Sequence, residues 1–225
     1  MALNPAKIFA DNPIYRNSSL FMAFKISRSG LVVDENATRA LPDFVADSEK
    51  KTIVVFGVPR GGTTMVAGLV QRAGVYMGDD LPVNLEDQNF CGKDLEFMKK
   101  IVGERNSQHD SWGWKFPRAA NYLKDLENDL RNPYYVCVWR DIFSAATRGI
   151  KNGSTPIDSL GLVHKIQEKN LQFISSTKKP VLLLSYEKST KDPLKAFSEI
   201  RDFTGSCAVE SDDNILQFAK PGSYK

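Results

Sequence analysis

Val54-Val55-Phe56-Gly57-Val58-Pro59-Arg60-Gly61-Gly62-Thr63-Thr64 runs directly into an apolar-periodic segment. This is the pattern of a buried strand, a glycine-rich turn and the opening of a helix. Successive backbone N–H groups of such a turn, with the unpaired N–H groups and positive end of the helix, converge on a phosphate or sulfate oxygen. Gly61 and Gly62 permit backbone geometries closed to other residues, and the hydroxyls of Thr63 and Thr64 add donors. The bland alternative is a tight strand-to-helix turn that holds no ligand.

The spacing of Gly57, Gly62 and Thr64 keeps the frame G-x-x-x-x-G-K-[ST] of nucleotide triphosphatases but places Thr63 where that loop has its lysine. The cation is Arg60 instead, within the turn. Working outward, residues 52–56 form the strand and residues 63–73 the helix, with Gly74 as its stop signal. Two more apolar runs, 134–139 and 181–185, read as strands, and 111–116 as a short one ended before Pro117. Helical segments are read at 93–102, 118–130, 142–150, 157–174 and 193–203, the last followed by residues 212–218. Strands without polar alternation are covered on both faces. Interleaved with helices, they imply a three-layer αβα sandwich around a mainly parallel sheet, with ligands at the carboxyl ends of the strands.

The chain has 225 residues, 42% of them hydrophobic and 25% charged, with a formal net charge of +3. One domain over 1–225 is the expectation, with residues 1–50 as an extension and 75–110 as a cover over the site. An edge strand at 20–26 and a short helix at 36–45 are the readable parts of that extension. Basic residues are scattered among acidic ones, which argues against a nucleic-acid surface. Cys91, Cys137 and Cys207 are odd in number and far apart, pointing to a reducing, cytoplasmic setting. No segment has the length of an apolar membrane span. His109 and His164, the only histidines, lack ligand spacing.

Side chains at three strand ends are placed to face one ligand. Arg140 follows the 134–139 strand and suits a two-point grip on phosphate, whereas Asp141 caps the next helix. Lys115 closes the run Trp112-Gly113-Trp114-Lys115 and brings a mobile cation. Tyr186 and Glu187 read as a tie between loops beneath the site. Trp112, Trp114, Phe90 and Phe97 either line an apolar cleft or belong to the core.

Taken in order, Pro59-Arg60-Gly61-Gly62-Thr63-Thr64, Arg140-Asp141, and residues 181–187 followed by Asp192-Pro193 and Phe203-Thr204-Gly205 resemble the anchors of sulfotransferases that use 3′-phosphoadenosine 5′-phosphosulfate. The resemblance is to the divergent bacterial-type members and spans residues 52–205. It implies that Arg60, Gly61, Gly62, Thr63 and Thr64 hold the 5′-phosphosulfate, that Arg140 holds the 3′-phosphate, and that Lys115 approaches the transferring sulfuryl group. The family has Ser at the place of Gly61, and Pro and Ser at those of Ile142 and Arg148; Arg148, Ser144 or Thr147 would supply the second 3′-phosphate contact. The tail 221–225 would close the adenosine side. The resemblance calls for no metal, and leaves the acceptor open among small molecules, carbohydrates and lipids. With no histidine at the family's base position, a carboxylate after the first helix takes that role: Asp80 as first choice, Asp79 and Glu86 as alternatives. The rival reading is a P-loop nucleotide or small-molecule kinase, with Arg60 for the lysine and Asp141 or Asp79 on Mg²⁺. A purely nucleotide-binding or structural domain is the third.

Overall fold

The computed structural model describes residues 24–26, 32–34, 50–149 and 155–220. The helix expected at 36–45, Ile150 and the tail 221–225 lie outside them. Among the described residues, six strands form one sheet: β1 (Phe24–Ile26), β2 (Val32–Asp34), β3 (Lys51–Phe56), β4 (Ser111–Lys115), β5 (Pro133–Trp139) and β6 (Val181–Ser185). Their order is β1-β2-β6-β5-β3-β4. The four strands β6, β5, β3 and β4 are parallel, while β1 and β2 add an antiparallel edge. In register, Val55 lies opposite Lys115, Phe56 opposite Cys137 and Trp139 opposite Ser185, so the four carboxyl ends finish close together.

The helices are α1 (Thr63–Arg72), α2 (Leu95–Gln108), α3 (Leu123–Leu126), α4 (Ile142–Gly149), α5 (Pro156–Ser176), α6 (Tyr186–Lys191), α7 (Pro193–Thr204) and α8 (Asp212–Ala219). Alternation along β3 sends Ile53 and Val55 to one face with α1, α7 and α8, and Val54 and Phe56 to the other with α2, α3 and Phe173 of α5. Both faces of the sheet are therefore buried, which is why its strands read as unbroken apolar runs. From the end of β3 the chain crosses to β4 on one side, and from the end of β5 to β6 on the other. Neighbouring strands whose connections diverge leave a crevice between them, the usual place for a ligand in an open α/β sheet.

Two expectations need correction, and one alternative is settled. The helix read over 118–130 is broken into a 3-10 turn, Ala119–Asn121, and the single turn of α3. Tyr122 interrupts it: the ring stacks on Phe116, and its hydroxyl donates to the Phe90 carbonyl and accepts from Trp114 Nε1, each at 3.0 Å. Those fixed contacts outweigh local helix preference, while Ala119, Leu123, Leu126 and Leu130 still bury the apolar side. Helix α2 runs past the expected end at 102, with Asp94 capping its start and Arg131 donating to the carbonyls of Asn106 (2.6 Å) in its last turn and Asp110 (2.9 Å) just beyond it. Of the two readings of Trp112, Trp114 and Phe90, core is the one found: they are buried and stacked on one another.

Candidate functional site

The phosphate-type cradle begins where β3 ends. Gly62 is the N-cap of α1 at φ 87°, and a Cβ there would lie 2.0 Å from the Tyr186 ring, so conformation and space both demand glycine. At Gly61 a Cβ would come within 2.6 Å of the Val58 carbonyl, which explains why this chain lacks the serine of the resembling loop. No side chain caps α1 and its first turn carries no acidic residue. Its leading N–H groups therefore have no side-chain cap, the condition in which a helix start can receive an anion.

The carboxyl ends of all four parallel strands contribute to one open cleft of about 830 Å³. From β3 come Arg60, Gly62, Thr63 and Thr64; from β4, Lys115 through Arg118; from β5, Arg140; and from β6, Tyr186. Arg148 of α4 faces it too. Among the described residues, five cations thus line the cleft (Arg60, Lys115, Arg118, Arg140 and Arg148) against a single carboxylate, Glu86. Such an excess in a concave site draws anions. Gly61 is buried beneath it and does not line it.

Arg140 is held from three sides. Its Nη1 donates to the Arg60 carbonyl at 2.8 Å, its guanidinium lies 4.5 Å over the Tyr186 ring, and its Nε is 3.9 Å from Glu187 Oε1. Glu187 also accepts from Asp141 N at 3.1 Å, so this pair does tie the ends of β5 and β6 together. Arg140 Nε is buried without a hydrogen-bond partner, an unmet donor beside the cradle. Asp141 accepts from Ser144 N at 2.7 Å and caps α4; that hydrogen bonding holds its carboxyl below the usual range. Ser144 and Thr147 do not line the cleft, and Thr147 Oγ1 donates to Phe143 O, so Arg148 is the residue of that trio that shares the cleft with Arg140.

Lys115 is buried, its ammonium 2.9 Å from both the Asn84 carbonyl and Glu86 Oε1. Burial lowers its pKa from 10.5, and the Glu86 carboxylate opposes that shift. Thr64 Oγ1 donates to the same Asn84 carbonyl at 3.1 Å. Residues 83–86 therefore dip into the cleft between α1 and β4.

The three acidic candidates separate here. Asp79 accepts from Tyr76 OH at 2.5 Å, and Asp80 is exposed at a turn with φ 47°; neither lines the cleft. Asp80, the first choice from sequence, lies outside the cleft, and Glu86, one of its alternatives, lines it. The turn at 78–80 and the left-handed Leu85 (φ 55°) point successive side chains in different directions, which no spacing rule encodes. Two contributors went unread. Arg118 faces the cleft just past Pro117, and the Lys115-Phe116-Pro117-Arg118 run was a signal for it. Asp87 forms a buried ion pair with Arg105 at 2.5 Å, where Arg105 lies among the rings of Tyr76, Phe90 and Trp112. Residues eighteen apart on a turn and a helix give no local signal of such a pair.

No protein-family profile matches the chain, and neither does any curated protein. No described helix is long and apolar enough to cross a membrane. Among solved structures, the chain is similar to a sulfotransferase domain from the Synechococcus PCC 7002 olefin synthase, with a TM-score of 0.48 and 15% identity over 75% of this chain and 76% of that one. It is also similar to sulfotransferase STF1 from Mycobacterium tuberculosis H37Rv, with a TM-score of 0.46 and 13% identity over 84% of this chain and 76% of that one.

Proposed function

We propose that the chain is a single-domain transferase that moves a sulfuryl group from 3′-phosphoadenosine 5′-phosphosulfate to a hydroxyl or amine acceptor. The observation that carries this reading is the convergence of Arg60, Lys115, Arg140 and Arg148 on one cleft, under an uncapped helix start whose loop lacks the triphosphatase lysine. The Arg140 guanidinium lining the cleft and the side-chain-free cradle at Gly62 suit a ligand with anionic groups at two ends. The three free cysteines, Cys91, Cys137 and Cys207, fit a reducing cytoplasm.

In this reading Arg60, Thr63, Thr64 and the α1 N–H groups hold the 5′ end, and Arg140 with Arg148 holds the 3′-phosphate. When bound, the donor supplies an activated sulfuryl group whose bond to the bridging phosphate oxygen is exchanged for one to the acceptor. Glu86 takes the acceptor's proton. Lys115 neutralises the negative charge gathering on the leaving oxygen, and the cradle keeps the partners aligned. The kinase alternative is weaker, because Asp141 is committed to the α4 cap and Asp79 to Tyr76, both outside the cleft.

Thermal-shift titration tests the proposal. At about 100-fold over Kd, 3′-phosphoadenosine 5′-phosphate without Mg²⁺ should stabilise the chain by about 2.7 kcal/mol, a rise of roughly 5–11 °C for a chain of this size. Stabilisation by ATP with Mg²⁺ alone would hand the site to the kinase reading. Labelled donor with an acceptor library, followed by mass analysis, tests transfer itself.

Two expectations follow for single residues. Arg140→Ala should cost roughly 10- to 150-fold in affinity for 3′-phosphoadenosine 5′-phosphate and leave that for adenosine 5′-phosphate nearly unchanged, read by calorimetry. An unchanged ratio moves the 3′ contact to Arg148. Lys115 must be protonated to act, and burial brings its deprotonation below pH 10.5. Turnover should therefore fall on an alkaline limb that begins below 10.5, and Lys115→Arg, which stays charged, should flatten that limb whatever it does to the maximum. A limb left in place assigns it to another group.

A further inference from the structure

Beside the main cleft lies a second cavity of about 330 Å³, and both are lined by the side chains of Phe116 and Arg118. Resting on the transfer reading above, we propose that this cavity receives the body of the acceptor, and that the acceptor is a flat, largely apolar aryl alcohol carrying an anionic group held by Arg118 and Lys93. The wall between the cavities is firm. Phe116 N donates to the Val55 carbonyl at 3.1 Å and Gly57 N to the Pro117 carbonyl at 3.2 Å, which pins residues 116 and 117 to the end of β3. Phe116 lines the main cleft together with the Lys115–Glu86 pair and lines the second cavity as well, so the two spaces share that wall.

The lining sets the chemical class. Leu95, Met98, Phe116 and Tyr122 are apolar, and the rings of Phe116 and Tyr122 lie within 13° of parallel, offering flat faces for stacking. Two polar groups are already spent: the Tyr122 hydroxyl on Phe90 and Trp114, and Asn121 Oδ1 on Lys169 Nζ at 3.3 Å. What is left is Arg118, Lys93, Asp125 and the amide N–H₂ of Asn121. Among the described residues no carboxylate pairs with Arg118 or Lys93; the Lys93 ammonium lies only over the Phe97 ring, at 5.9 Å. Two cations against one carboxylate favour an anion over a neutral or cationic ligand, and an arginine fork grips a carboxylate or sulfonate at two points.

The test uses three molecules of nearly equal shape, p-hydroxyphenylacetate, its neutral alcohol tyrosol and its amine tyramine, titrated calorimetrically into the full chain with and without 3′-phosphoadenosine 5′-phosphate. The acid should bind about tenfold or more tighter than the alcohol, and the amine weakest. Lys93 and Arg118 are both exposed, so Lys93→Gln and Arg118→Gln should keep the fold, checked by an unchanged melting temperature, and together should bring acid and alcohol within about twofold. Equal or tighter binding of the alcohol or amine, or an acid preference that survives both substitutions, overturns the proposal. The donor arm separates the two readings. If the nucleotide binds but the acid shows no preference, this inference fails alone; if the acid binds through Arg118 and Lys93 but the nucleotide does not, the transfer reading fails instead.

Discussion

Glu86→Gln should lower turnover by roughly 10²- to 10⁴-fold while donor affinity changes little, because the substitution keeps the shape of the side chain and removes the only carboxylate that lines the cleft among the described residues. Glu86 is positioned for this by the Lys115 ammonium at 2.9 Å and by its own backbone N–H, which donates to Asn84 Oδ1 at 3.1 Å. Asp80→Asn, at an exposed turn outside the cleft, should stay within a few-fold of wild type. Parallel turnover assays at saturating donor decide between them. A nearly fully active Glu86→Gln would place proton removal elsewhere or show that the acceptor needs none, leaving Lys115 and the cradle to carry catalysis.

Breaking the buried pair beside it should produce the largest loss of stability. Asp87 and Arg105 are both buried, and Asp87→Ala leaves the guanidinium enclosed by Tyr76, Phe90 and Trp112 with no counter-charge. Removing one partner of such a pair costs about 3–5 kcal/mol, or roughly 6–20 °C in Tm for a chain of this length. Urea unfolding with an unchanged m value is the measurement. The double variant Asp87→Leu with Arg105→Met should recover much of the loss, since no charge is then left buried; a single-variant loss under about 1 kcal/mol would show that water reaches the pair. Asp87 adjoins Glu86, so the single variant should also lower turnover by loosening the segment that carries the carboxylate.

The sheet was legible in the chain because its chemistry is local. Apolar runs at 52–56, 134–139 and 181–185 lack polar alternation since both faces of β3, β5 and β6 are covered, and the glycine-rich turn announces itself because only glycine meets the left-handed geometry and the Tyr186 ring at position 62. The positions of Arg140 and Lys115 were readable for the same reason, Lys115 closing one strand and Arg140 directly following another, with the sheet aligning both with their neighbours. The helix at 118–130 was misread because Tyr122 answers to Trp114, Phe90 and Phe116, which the local pattern does not contain.

The sequence by itself determined an α/β sheet with an anion-suited turn and cations at its carboxyl edge. Only the tertiary structure decided which carboxylate meets them. Asp79, Asp80 and Glu86 look alike along the chain, yet positive φ at Asp80 and Leu85, the Asp87–Arg105 pair and the Asn84 carbonyl turn Glu86 alone of the three into the cleft. The same holds for Arg118 and the cavity it shares with Phe116. Strand and turn preferences act over a few neighbouring residues, whereas the direction of a loop side chain is settled by partners far along the chain, and their approach is a property of the packed fold.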